Sequence, residues 1–283
     1  MAEQLPVEKL NGLFFRVCDA AVDLFKVPLG LCVHLISRDG GQNTERGVFA
    51  NYLRAYLANA LAVAYDLTGK DAYLDAIKAW SDAMLTFQEQ MIPKGAYYML
   101  YARAPFSPSG TWCVCDASEI ALGVLATAVR CRHPLEKQRY LRSVEAYANL
   151  VLDNYAGPNG GILNGIWLPF DGEWWASTAS SGALFFKLYD ETGNRRYLEA
   201  ALNTVHWFAS LESLRRASRD EKFITYNAPG EDNPYPANPK QSGSGILRQL
   251  HLYNAGAPHL FGRGLAMEGA VRRELDFFVC WCS

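Results

Sequence analysis

Apolar positions recur at intervals of three and four through much of the first 210 residues, the signature of helices packed on one face. Leu57, Leu61, Ala64 and Tyr65 form one such row, which stops at Thr68-Gly69. Glycine there permits the left-handed conformation that closes a helix. A second row follows at once through Tyr73, Leu74, Ile77, Trp80, Met84 and Leu85. The phrase around the break, DLTGKDAYLDA from Asp66 to Ala76, returns as DETGNRRYLEA from Asp190 to Ala200. The rows return with it: Leu184, Phe185, Leu188 and Tyr189 before Gly193, then Tyr197, Leu198, Ala201, Val205 and Phe208. A weaker copy lies between, with one helix to about Arg130, a break at His133-Pro134 and a second helix containing Tyr140-Leu141. Tyr73, Tyr140 and Tyr197 are 67 and then 57 residues apart. A period of about 60 residues holding two helices is a helical-hairpin repeat. No strand alternation stands out, and the fold class read from the pattern is all-α.

The first helix of each pair is poor in charge and the second is more polar, which assigns them to inner and outer layers. A further helix is expected over 7–25 and another over 267–282. The connections between hairpins, 27–44, 93–115, 156–175 and 212–243, hold most of the Gly, Pro and Trp. Long irregular connections are commonly functional. With all hairpins pointing one way, these connections open on the end where the inner helices begin. The chain is read as a single domain over 1–283.

Hairpins written Thr-Gly, three residues, then Tyr-Leu-x-Ala, each preceded by a long aromatic connection, resemble the (α/α) toroids of the six-hairpin glycosidase superfamily. That superfamily includes glycoside hydrolases, unsaturated-uronyl hydrolases, sugar 2-epimerases and polysaccharide lyases. The resemblance covers roughly residues 44–211 and implies an (α/α) barrel acting on a sugar. Six hairpins of this period need about 370 residues. A chain of 283 therefore implies fewer than six complete hairpins.

Composition narrows the classes. The formal net charge is −2 and no Lys/Arg run is dense enough for a nucleic-acid footprint. No uninterrupted apolar stretch reaches the length of a membrane span, and no signal-peptide pattern opens the chain. Seven cysteines, an odd number, suggest reduced thiols and a cytoplasmic protein. Cys113-Val-Cys115 and Cys280-Trp-Cys282 have the wrong spacing for a zinc ribbon, so they read as buried or idle thiols. No metal and no cofactor is expected. The expected partner is a small-molecule or oligosaccharide substrate, and the oligomeric state is open.

Candidate chemistry gathers in the long connections. Asp116, in TWCVCDASEIALG, reads as the N-cap of an inner helix with Glu119 three residues on. A helix dipole there favours the ionised form, suiting a base or nucleophile. Asp171 and Glu173, in WLPFDGEWWAST, sit among Phe170, Trp174 and Trp175, where desolvation suits a general acid. Together these carboxylates would supply the acid and base of glycoside hydrolysis. Tyr97, Tyr98, Trp112, Trp167, Trp174 and Trp175 offer faces on which sugar rings stack. Arg46, Arg103 and His34 are candidate clamps for an acidic sugar. His251 and His259 are weaker acid–base candidates. A class II terpenoid cyclase, with Asp116 as proton donor in an aromatic cavity, is the alternative enzyme class. A binding toroid without catalysis is the third.

Overall fold

A computed structural model describes residues 7–26, 32–33, 47–48, 51–99, 106, 108–109, 113–165 and 173–210. Among them lie seven helices: α1 (Val7–Lys26), α2 (Asn51–Thr68), α3 (Asp71–Gln88), α4 (Val114–Arg130), α5 (Pro134–Asn154), α6 (Trp175–Thr192) and α7 (Arg195–Ser210). The described part is helical, as the periodicity predicts. It also holds one small ladder, β1 (Cys32–Val33) antiparallel to β2 (Gly47–Val48). Two isolated bridges, Ala156 with Ile162 and Leu163 with Glu173, give the connection before α6 a local order that its sequence does not announce.

The written repeat is a repeat of bonds. Gly69 and Gly193 both take φ +68°, and each donates its amide to the carbonyl of a tyrosine four residues back, Tyr65 at 2.7 Å and Tyr189 at 2.8 Å. Thr68 Oγ1 donates to the Ala64 carbonyl at 2.6 Å, and Thr192 Oγ1 to that of Leu188 at 2.7 Å. Each threonine oxygen then accepts the amide two residues on, from Lys70 and from Asn194, both at 3.2 Å. The first turn of the next helix starts alike, with Tyr73 N–H donating to the Lys70 carbonyl and Tyr197 N–H to that of Asn194. Thr-Gly thus ends one helix and sets the entry of the next within two residues.

The tyrosines that mark the period share a role. Tyr73 donates its hydroxyl to Asp19 of α1 at 2.8 Å, and Tyr140 to Asp82 of α3 at 2.6 Å. Tyr197 donates to Asn149 of α5 at 3.4 Å. A basic residue just ahead of each reaches the same neighbour: Lys70 pairs with Asp19, Arg139 with Asp82, and Arg196 with Asp153 and Asn149. The rings are buried while the hydroxyls reach polar partners, so each junction combines about 2 kcal/mol of apolar burial with a hydrogen bond of about 1 kcal/mol.

The chain divides into two compact units, Met1–Thr111 with Glu119–Tyr147, and Trp112–Ser118 with Ala148–Ser283. In the first, α2 approaches α4 across Gly123. A Cβ there would lie 2.8 Å from the Trp80 ring and 3.5 Å from Ala55 Cα, so only glycine permits the approach. The core of this unit centres on Ile77, Trp80, Met84, Leu61 and Leu125. In the second unit α6 packs on α7 around Phe185, Leu188, Tyr197 and Val205. The charge-poor helices differ from the others in burial. Residues 114–125 of α4 and 177–186 of α6 are buried on every side, whereas α3, α5 and α7 keep an exposed polar stripe. This is the physical content of their composition: a helix covered all round has no face for charge.

Candidate functional site

The buried polar side chains of the charge-poor helices are concentrated at the N-terminal end of each helix. Asn51 and Arg54 lie in the first turn of α2, Asp116, Ser118 and Glu119 in the first two turns of α4, and Ser177, Thr178, Ser180 and Ser181 in those of α6. The later turns of these helices are largely apolar, with Thr127 of α4 a buried exception. This polar end was missed from sequence. Its signal was the run STASSG at the start of a helix otherwise filled by Leu and Phe.

The connections reach the same ends. The Asn51 amide, at the start of α2, donates to the Met99 carbonyl at 3.0 Å, and Asn51 Nδ2 to that of Tyr98 at 2.8 Å. In the other unit the Val114 amide, at the start of α4, donates to the Asn164 carbonyl at 2.9 Å. Asn164 Oδ1 also accepts from Ser177 of α6 at 2.8 Å, and Ser118 and Ser181 share a hydrogen bond of 3.0 Å. In each unit, then, the first amide of a charge-poor helix is satisfied by the connection that leads to the next one.

Asp116 sits here with 3% exposure. It is not the N-cap. Helix α4 begins at Val114 and the Ala117 amide already donates to the Cys113 carbonyl, which places Asp116 third in the first turn. The Cys113 sulfur takes the capping role, accepting the amides of Asp116 and Cys115. The ionisation expected from the dipole is also reversed. Desolvation pushes the Asp116 carboxyl up to about 7, because removal from water outweighs the field of the helix end. Cys115 Sγ donates to Asp116 Oδ1 at 3.3 Å and lies 3.3 Å from Cys113 Sγ. The Cys113 thiol is held below its ordinary range, chiefly by the Cys115 thiol and, against the cost of burial, by the two helix amides. Cys113, Cys115 and Asp116 bring three ligand-type atoms within 4.8 Å of one another, an arrangement more ordered than idle thiols.

Glu173 is buried too, at 9% exposure, but its carboxylate is enclosed by donors. Oε1 accepts the amides of Asn159 at 2.8 Å and Gly161 at 3.0 Å. Oε2 accepts Asn159 Nδ2 at 3.1 Å and Trp207 Nε1 at 2.7 Å. Gly157 and Gly161 make room for this cage: a Cβ on Gly157 would come within 2.3 Å of Glu173, and one on Gly161 within 2.6 Å of Trp207 Nε1.

The sequence-stated aromatics divide. Tyr97 is wholly buried, hydrogen-bonded to Ser143 Oγ at 2.8 Å and packed 5.4 Å from the Tyr147 ring. Tyr98 packs against Phe87 and Phe106 at 5.0 and 4.8 Å. Both hold the segment after α3 to its unit. Trp174 precedes α6, and its amide donates to the Ile162 carbonyl. Trp175 is the first residue of α6. Asp171, Trp112, Trp167, Arg46, Arg103, His34, His251 and His259 lie outside the described residues. No helix among the described residues is long and apolar enough to cross a membrane. In comparison with known proteins, no family model matches this chain and no curated protein matches it.

Proposed function

We propose that the hairpins form an (α/α) toroid and that the protein is a carbohydrate-active enzyme cleaving glycosidic bonds in an oligosaccharide or uronate-containing sugar. The observation that carries this reading is the group of buried polar side chains in the first turns of α4 and α6 within one unit, where the Asp116 carboxyl stands with Ser118, Asn164, Ser177 and Ser181. A sugar, with a hydroxyl on nearly every carbon, is a ligand suited to such a surface.

In this reading Asp116 is the general acid. About half protonated at neutral pH, it gives its proton to the leaving glycosidic oxygen. Asp171 is the proposed second carboxylate, activating water or attacking the anomeric carbon. Trp112, Trp167, Trp174 and Trp175 stack on the sugar, and Arg46, Arg103 and His34 clamp an acidic one. Glu173, its oxygens committed to four donors, positions the connection before α6 instead of transferring a proton.

The test is turnover of a panel of neutral and uronate oligosaccharides, followed by release of reducing ends. Wild-type protein is expected to cleave at least one member. Its kcat/KM should fall as pH rises through about 7, where Asp116 loses its proton. No turnover across the panel overturns the reading. The dry surroundings of Asp116 favour a second reading, protonation of an alkene in a terpenoid-cyclase-like cavity. Cyclisation of a linear isoprenoid by wild type and not by Asp116→Asn would decide for it.

A further inference from the structure

The Cys113–Cys115 pair has no task in glycoside cleavage, yet it is arranged for chemistry. The sulfurs are 3.3 Å apart, one capping a helix and the other donating to Asp116. A tetrahedral zinc ion would hold two thiolates about 3.8 Å apart, further than these lie, and the described group offers three ligand atoms. The geometry favours a bond between the sulfurs over an ion between them. Exposures of 1% for Cys113 and 7% for Cys115 select a small oxidant over a bulky disulfide.

We propose that Cys113 and Cys115 are a dithiol oxidised by hydrogen peroxide to an intramolecular disulfide beside Asp116. The Cys113 thiolate attacks one peroxide oxygen, the O–O bond breaks, and hydroxide leaves and is protonated by solvent to water. Cys113 is thereby oxidised to a sulfenic acid. Cys115 gives its proton to the Asp116 carboxylate, and its sulfur attacks Cys113. The S–S bond forms as the S–O bond breaks, and the departing hydroxide takes the proton from Asp116. Two thiols and one peroxide thus become one disulfide and two waters. The disulfide removes the S–H that Asp116 Oδ1 accepts, so oxidation regulates the acid. That last consequence alone rests on the proposed function.

The experiment treats the full chain with stoichiometric hydrogen peroxide, alkylates it under denaturing conditions, and weighs the peptide holding both cysteines. The expected product is two hydrogens lighter, unalkylated at both positions, and restored by dithiothreitol. In Cys115→Ser, dimedone should trap a sulfenic acid on Cys113. Alkylation of both residues in peroxide-treated wild type would overturn the proposal, as would zinc in the purified protein that blocks oxidation. The mass readout is independent of sugar cleavage. A disulfide in a protein with no sugar turnover therefore leaves this proposal standing and removes only the regulation of an acid.

Discussion

Glu173 and Asp116 are buried carboxyl groups in the same compact unit, with different surroundings. Glu173 accepts four N–H donors, two from backbone amides and two from side chains. Asp116 accepts, among the described residues, one weak S–H donor from Cys115. A carboxylate with its lone pairs filled is an anchor, and its charge is compensated where it stands. A carboxyl removed from water without such compensation keeps its proton and holds it available. Burial alone does not separate the two roles; the donors do.

The largest effect expected from this contrast is on stability. Glu173→Gln keeps the shape but turns one oxygen into an NH2 facing donors. Hydrogen bonds to a charged group contribute about 1.5–3 kcal/mol each, so a loss of about 3 kcal/mol or more is expected. A lower urea midpoint at unchanged slope would show it. Turnover lost with the midpoint intact would mean that Glu173 does chemistry, and the contrast would collapse.

Next is Asp116→Asn in turnover, with an expected loss of at least about 10²-fold and no loss of folding. Near-native rates would remove Asp116 from the chemistry. The same variant sharpens the contrast through pH. The folded carboxyl titrates at about 7, far above its ordinary 3.8, so between these values the native state keeps a proton that the unfolded chain has lost. Stability then falls as pH rises, by up to about 1.4 kcal/mol per pH unit, until the folded carboxyl ionises. The penalty is absent below the lower value and constant above the upper one. Asp116→Asn should flatten that slope in urea melts at pH 5, 6, 7 and 8. An unchanged slope would place the proton elsewhere.

Much of the helical frame was legible because its causes are local. Thr68-Gly69 and Thr192-Gly193 satisfy amides and carbonyls within four residues, so the bonds that end the helices are written beside them. The surroundings of the two carboxylates were not legible, because their causes are remote. Trp207 reaches Glu173 across 34 residues, and Ser143 reaches Tyr97 across 46, making a presumed ligand-facing ring part of a core. Asp116 was misplaced by the start of one helix. Val114 and Cys115 carry no capping signature, and the group that caps the turn is a thiol, which capping rules do not anticipate.

A smaller effect tests the backbone half of the repeat. Neither Gly69 nor Gly193 has an atom within 4 Å of where a Cβ would stand, so substitution meets no clash. Gly193→Ala should therefore cost only the left-handed strain, about 1–2 kcal/mol, and Gly69→Ala the same. Unequal costs in thermal or urea melts would show that the two caps are alike in geometry but not in what depends on them.

The smallest effect extends the donor rule to neutral groups. Tyr140 donates to the Asp82 carboxylate at 2.6 Å, whereas Tyr197 reaches the Asn149 amide oxygen at 3.4 Å. Bonds to charged acceptors are the stronger kind, and a 3.4 Å contact is near the limit of a hydrogen bond. Tyr140→Phe should then cost about 1.5 kcal/mol and Tyr197→Phe about 0.5 kcal/mol, with Tyr73→Phe between them because its bond to Asp19, at 2.8 Å, is intermediate in length. Each ring stays in place, so urea midpoints report the hydroxyl alone. The reverse order would mean that the junctions are held by ring packing, and that counting donors and acceptors does not rank polar groups in this fold, the two carboxylates included.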